Sequence, residues 1–410
     1  MTYFDVTLET IIGPSHHFGG LSDGNIASMG SKYSISNPKM AALQSLDKLK
    51  LVASLGQRQL LLPPHPRPLT LKQSDIHRLS DHELSVFFSS GFMWTANSST
   101  LISSRDHPTH CMHSLVANMI TESHRQQEAA CTDLLLRRLF GFISGYKQIG
   151  PLPSNYPDEG AANIMCFSAT DKASARLVFV YGDPTKVSKY PVRQTLETCQ
   201  AMVLRLGLSS DQVFFAELRP ELIDMGVFHN DVISLNHDQF LLTHEEAYVN
   251  QDSLLNFLDG IPTFLVNSSQ LSIEEAVSTY FFNSQFVLQS DLSLAMIVSK
   301  HCIESVSAHR LLEVLVSSSS IPISQFYSVN LSQSMMNGGG PACLRNRVCL
   351  TDEEWASIPP YFKFTSSMYD QLYSFIESNY PTSVTISSFR EDSFYDRLNL
   401  CYYFFGNLFK

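Results

Sequence analysis

The apolar residues Met40, Leu43, Leu46, Leu49, Val52 and Leu55 recur at helical spacing after Asn37-Pro38, and Gly56 follows them as a stop. That period on a capped segment predicts an amphipathic helix whose apolar face joins the core. Arg176–Tyr181, apolar after its arginine and ended by Gly182-Asp183-Pro184, has the pattern of a buried strand; Leu196, Cys199, Met202, Val203 and Leu206 then return to helical spacing. Residues 212–218 read as the next strand, followed by a helix near 273–282, a strand near 295–298 and a helix near 309–316. The serine run 317–320 reads as the loop leaving that last helix. Strands and helices interleaved along the whole chain predict an α/β protein rather than separate all-α and all-β domains.

Composition narrows the possibilities. Hydrophobic residues make up 44% of the 410 and charged residues 16%, enough for a substantial core and unlike a disordered chain. A formal net charge of -11 with no Lys/Arg-rich run argues against a nucleic-acid binder and suits a small cationic substrate. No long apolar segment follows the N-terminal residues, which predicts no membrane span and a cytoplasmic chain. The eight cysteines are scattered without a Cys-x-x-Cys pair, so neither a zinc site nor a disulfide framework is expected. His107, His110 and His113 lie close together without a metal-ligand pattern around them, and Cys349, in the apolar run 348–350, reads as core.

Two segments carry candidate chemistry. Asn337-Gly338-Gly339-Gly340-Pro341-Ala342-Cys343 delivers one thiol into a loop shaped by three glycines and a proline, which nominates Cys343 as a nucleophile. Residues 226–233, Gly-Val-Phe-His-Asn-Asp-Val-Ile, read as a short β-branched strand, on which His229 and Asp231 would face the same way. A thiolate to attack, an imidazole to move protons and a carboxylate to hold a cation are the parts of thiol chemistry on a cationic substrate.

Read together with Gly13-Pro14-Ser15-His16, Met93-Trp94-Thr95-Ala96-Asn97, His124-Arg125, Asp158-Glu159-Gly160-Ala161-Ala162-Asn163 and Tyr190-Pro191-Val192-Arg193-Gln194, these segments resemble the N-succinylarginine dihydrolase family of the pentein superfamily, from about residue 5 to about residue 355. The resemblance implies one catalytic domain over 1–410, an α/β five-bladed propeller of ββαβ modules around a central active site. It implies Cys343, His229 and Glu159 as catalytic residues and Asp231 as the partner of the guanidinium group. For the succinylated end it implies Asn97, His124, Arg125, Arg193, Asn337 and the segment Gly19, Gly20, Leu21, Ser22, Asp23, Gly24, Asn25, Ile26, Ala27 and Ser28, whose glycines suit a mobile lid. The implied reaction hydrolyses N2-succinyl-L-arginine to N2-succinyl-L-ornithine, carbon dioxide and two ammonia, without metal or organic cofactor, in a homodimer.

The chain departs from the family's pattern at Ile164-Met165-Cys166, where the family has His-Thr-Arg, at Asn330-Leu331-Ser332, where it has Asp-Leu-Arg, and at Met336, where a base is frequent. The first change would remove polar groups close to Glu159 and bears on the acyl group accepted. Two other readings share the same residues: a deiminase that stops at the ureido product, and a ligand-binding homologue without turnover.

Overall fold

The computed structural model describes residues 2–69, 72–167 and 175–410. Its fifteen strands form five three-stranded sheets, each built alike. In the second sheet β3 (Ser99–Ile102) runs antiparallel to β4 (His113–Val116), and β5 (Lys147–Ile149) lies parallel to β4. The third repeats this with β6 (Ile164–Phe167), β7 (Arg176–Tyr181) and β8 (Val213–Glu217). The fourth has β9 (Ser234–His237), β10 (Phe240–His244) and β11 (Thr263–Val266); the fifth has β12 (Gln285–Leu288), β13 (Leu294–Ser299) and β14 (Ile323–Val329). In the first sheet β1 (Tyr3–Thr10) is central, between β2 (Arg58–Leu62), parallel to it, and β15 (Arg345–Thr351), antiparallel. The two halves of the chain therefore close one sheet between them.

A parallel neighbour requires a crossover, and each sheet has a helix there: Pro38–Ser54, Ala129–Phe140, Leu196–Leu206, Gln251–Phe257 and Val306–Ser317. Five ββαβ units with β3, β6, β9, β12 and β15 as the equivalent first strands give the pentein architecture that the resemblance implied.

The helices form where local chemistry supports them. Asn37 accepts the Met40 amide at 2.9 Å and Pro38 occupies the first turn of the first crossover helix. Thr195 caps Leu196–Leu206, which ends at Gly207 with φ of 70°. Helix Val306–Ser317 buries Ala308, Leu311, Leu312 and Leu315 against its sheet. Each such leucine contributes roughly 2 kcal/mol relative to exposure.

The stripe expected on the first crossover helix is displaced: Leu46, Leu49 and Val52 are buried, but Met40 is exposed and Ala41, Ala42 and Lys48 take up core positions. Residues 226–233 correct another expectation. They form a loop and a single tight turn at Asn230–Val232 instead of a strand. Val227 and Ile233 are fully buried beneath that loop, so its β-branched residues serve as plugs. Among the described residues no helix is long and apolar enough to cross a membrane.

Candidate active site

The first strands of the five units set the site, because the segment before each delivers one polar side chain to the centre. Asn97 precedes β3, Glu159 precedes β6, Asp231 precedes β9, Asn283 precedes β12 and Cys343 precedes β15. Asn97, Asn283 and Cys343 each stand two residues before their strand. Residues distant in sequence thus meet through one repeated feature of the fold.

Cys343 is buried, with 5% of its surface exposed. Its sulfur lies 3.1 Å from Asn283 Nδ2 and 3.5 Å from Asp231 Oδ2. The approach is held by backbone: Ala342 N donates to the Asn283 carbonyl at 3.1 Å, and Ala96 N donates to the Cys343 carbonyl at 3.2 Å. Gly338, with φ of 107°, sits in the left-handed region; a Cβ there would collide with the Asn25 amide, and one at Gly339 would collide with the Trp94 ring. The glycines are needed both for the turn and for close approach.

His229 Nε2 lies 3.0 Å from Glu159 Oε2, while among the described residues the buried His229 Nδ1 has no hydrogen-bond partner. Thr121 donates to the other Glu159 oxygen, and Asn97 Nδ2 donates to the Glu159 carbonyl at 2.8 Å. A carboxylate fixed in this way holds the ring's orientation and supports an imidazolium.

Electrostatically the site resists charge on sulfur. Burial first, and then the neighbouring Asp231 carboxylate, push the Cys343 thiol well above its ordinary range, while the Asn283 amide pulls it down. Burial raises Asp231 above the usual carboxylate range, opposed by His229, Cys343, Asn283 and Arg345. A guanidinium ion arriving between Asp231 and Cys343 removes both objections at once, since a nearby cation favours carboxylate and thiolate alike.

A cavity of about 40 Å³ lies against Cys343, His229 and Glu159, and its wall includes Asn97, His124, Arg125, Arg193 and Asn337. Gly19, Gly20, Leu21, Ser22, Asn25 and Ser28 also face it. Asp23, Gly24, Ile26 and Ala27 do not; Ile26 and Ala27 instead line an apolar groove with Phe228 and Tyr280. Asp231 faces a second pocket behind Cys343.

Arg193 is not a free cation. Its guanidinium contacts Glu122, donates to the Asp23 carbonyl at 2.5 Å and lies 3.8 Å from Glu159. Ser22 Oγ donates to Glu122 at 2.9 Å, so segment 19–28 is tied to the site through this pair. Burial lowers Arg193 to about 10, leaving it charged at neutral pH. Arg125 is likewise engaged, donating to Asn97 Oδ1 and to Glu128, each at 3.0 Å. His124 is held well below its usual range by burial and by Arg125, and so presents a neutral ring.

Sequence reasoning missed Asn283, Glu122 and Thr121. The signal for Asn283 is its equivalence with Asn97: both begin an Asn-Ser dipeptide two residues before a first strand. The departures from the family's pattern fall in three different surroundings. Ile164 and Cys166 line the rear pocket, Ser332 accepts from Gln44 Nε2 at 3.0 Å, and Met336 is exposed. Cys349 is buried, but among charges: its sulfur is 3.0 Å from Asp5 Oδ1 and 3.6 Å from Arg347 Nη2.

Known proteins resemble this chain. Residues 2–401 match the family model for succinylarginine dihydrolase (AstB). The N-succinylarginine dihydrolase of Hahella chejuensis (strain KCTC 2396) is 35% identical over 408 residues, covering 93% of this chain and 91% of that protein. Among solved structures, the product-bound N-terminal domain of ArgZ, an arginine dihydrolase of the cyanobacterial ornithine-ammonia cycle, superposes with a TM-score of 0.57 at 16% identity, over 84% of this chain and 97% of that one. AgrE with ornithine and NAD+ gives 0.57 at 15% identity, over 84% and 39%. At such identities the likeness shows the fold.

Proposed function

Because the chain belongs to the succinylarginine dihydrolase family, we propose that it hydrolyses N2-succinyl-L-arginine with two waters to N2-succinyl-L-ornithine, carbon dioxide and two ammonia. The observation that carries this reading is the convergence of Cys343, His229 and Glu159 on one cavity, with Asp231 3.5 Å from Cys343 Sγ and His229 3.0 Å from Glu159.

Asp231 accepts the planar guanidinium of the substrate, and the cation favours transfer of the Cys343 proton to Nδ1 of His229. Sulfur forms a bond to the guanidinium carbon, giving a tetrahedral adduct. His229, with Nε2 committed to Glu159, gives a proton from Nδ1 to the departing nitrogen, and the C–N bond breaks to leave ammonia and a thiouronium on Cys343. Water deprotonated by His229 attacks that carbon and releases the ureido compound with the thiol restored. A second attack on the ureido carbon gives the second ammonia, carbon dioxide and the free amine. Protons, water and one thiol balance both rounds, so the reading calls for no cofactor.

At the other end of the substrate, Asn97, His124, Arg125, Arg193 and Asn337, with Gly19, Gly20, Leu21, Ser22, Asn25 and Ser28 of the glycine-rich segment, receive the succinyl group and the α-carboxylate. Arg193 already answers Glu122, so an incoming carboxylate has to share that cation or displace Glu122. Ser22 and the Asp23 carbonyl are bound to the same pair, which couples carboxylate binding to the position of the glycine-rich segment. The family resemblance carries a cytoplasmic homodimer of one catalytic domain over 1–410; eight free cysteines agree with a reducing compartment.

Acid-quenched turnover tests the covalent step. Mass analysis should find the substrate-derived adduct on the peptide carrying Cys343, and no adduct with Cys343→Ser. An adduct on another cysteine, or turnover by the serine variant, would remove Cys343 from the mechanism.

A further inference from the structure

Behind the nucleophile lies a second pocket of about 110 Å³, lined by Asp231, Asn230, Ala342, Arg345 and Arg347 among others. Arg345 opens β15, two residues after Cys343, and stands opposite Glu9 of β1 in the strand register. Among the described residues its guanidinium makes no hydrogen bond or ion pair, and its Nε is buried without a partner. Asp231 Oδ1 is also buried without a partner, while Oδ2 faces the Cys343 sulfur at 3.5 Å. A cation with free donors and a carboxylate with a free oxygen therefore line the same pocket, which has room for more than one water to join them.

The other charges nearby are already answered. Glu9 binds Lys48 at 2.7 Å, both with fully buried side chains, so the acid opposite Arg345 has its own cation. Asp5 accepts from Arg347 at 2.6 Å and also contacts His237. The groups facing Asp231 are His229 from its own loop, Cys343 and Arg345 from the approach to β15, the Asn283 amide, and the Tyr280 phenol from the end of helix Ile273–Thr279. His229 changes its charge during proton transfer, whereas an arginine keeps its charge throughout.

We propose that Arg345 is a positioning residue for Asp231, holding its carboxylate charged and directed at the substrate guanidinium through water in the rear pocket. An isolated buried carboxylate tends to take up a proton and would then lose its grip on a cation. Arg345 supplies the fixed counter-charge from the side away from the substrate. It touches neither substrate nor sulfur in this role and acts through Asp231.

This inference rests on the proposed role of Asp231 toward a guanidinium. Arg345→Met and Arg345→Lys are to be compared with the wild type in the pH dependence of kcat/KM. The same substitutions in a Cys343→Ser background are to be compared by calorimetric binding of N2-succinyl-L-arginine across the same pH range. Methionine should lower kcat/KM about tenfold or more at neutral pH and move the acid limb upward by about one pH unit, and binding should show the same move. Lysine should restore the limb to its wild-type position. A melting temperature for each variant separates unfolding from the effect sought. Should the methionine variant fail to fold, the lysine variant still decides: a folded lysine variant with the limb displaced overturns the proposal, as does a folded methionine variant with the limb unmoved. Wild-type protein without turnover, but with Arg345-dependent binding, would remove the proposed reaction and leave this inference standing. Binding absent at every pH would remove both.

Discussion

The side-chain amide of Asn283 donates to the sulfur of Cys343 from 3.1 Å, and its own oxygen faces the Cys343 backbone N–H at 3.4 Å. This is the neutral donor that favours charge on a thiol otherwise pressed toward protonation by burial and by Asp231. Removing it with Asn283→Ala should raise the thiol's pKa further and slow iodoacetamide alkylation at any pH below it. If the amide also steadies the charged adduct, kcat should fall by about 10²-fold. An alkylation profile unchanged from wild type would show that the amide has no hold on the sulfur.

Glu159 and His229 form a separate unit. Glu159→Gln keeps an acceptor for His229 Nε2 but removes the charge that supports an imidazolium. The loss should appear in kcat, by about 10²- to 10⁴-fold, with little change in KM. Steady-state kinetics on N2-succinyl-L-arginine checks this, and an effect confined to KM would argue that Glu159 serves binding instead.

The buried pair of Glu122 and Arg193 gives a stability prediction. Both side chains are almost wholly enclosed, so Glu122→Ala would leave a buried arginine without its acid. A loss of about 3–5 kcal/mol is expected for breaking such a pair, and less for a double replacement of Glu122 and Arg193 by apolar residues. Denaturant titration of both variants measures the difference; equal losses would mean that the pair contributes through packing alone.

Acid should destabilise the fold from just below neutrality. Burial pulls His16 down to about 3, and pulls His17 down to about 4. Both stay neutral in the folded chain while unfolded histidines take up protons near pH 6.5, so the unfolded state binds more protons as pH falls below that value. Stability is therefore full above about pH 6.5 and falls by about 1.4 kcal/mol per pH unit for each histidine, down toward its folded pKa. Unfolding free energies at pH 7.5 and 5.5 should show this slope, and His16→Gln should reduce it by one histidine's share. A slope unaffected by that replacement would place the acid sensitivity elsewhere.

What could be read in the sequence follows physical range. The first crossover helix, β7, Leu196–Leu206 and Val306–Ser317 are written in local periodicity and caps, and they formed where those signals lie. The loop holding His229 was misread because Val227, Val232 and Ile233 look like a strand although they bury themselves singly under a turn. Cys343 was legible as a candidate because three glycines and a proline lead into it, although a Gly-Pro turn before a half-buried cysteine is common in ordinary proteins. Asn283 was not, since an Asn-Ser dipeptide acquires meaning only when β12 is seen to occupy the same place in its unit as β3 and β15. Glu122 was hidden for a related reason: a sequence shows that Arg193 exists, but not that an acid 71 positions away already holds it.

The central claim is two rounds of hydrolysis at one thiol, and product stoichiometry tests it most directly. Ammonia and carbon dioxide released from N2-succinyl-L-arginine should be counted for wild type and Cys343→Ser, with free arginine and N2-succinylcitrulline as comparison substrates. Two ammonia and one carbon dioxide per substrate are expected, from wild type alone. One ammonia with no carbon dioxide, leaving the ureido product, would contradict that claim and make the protein a deiminase.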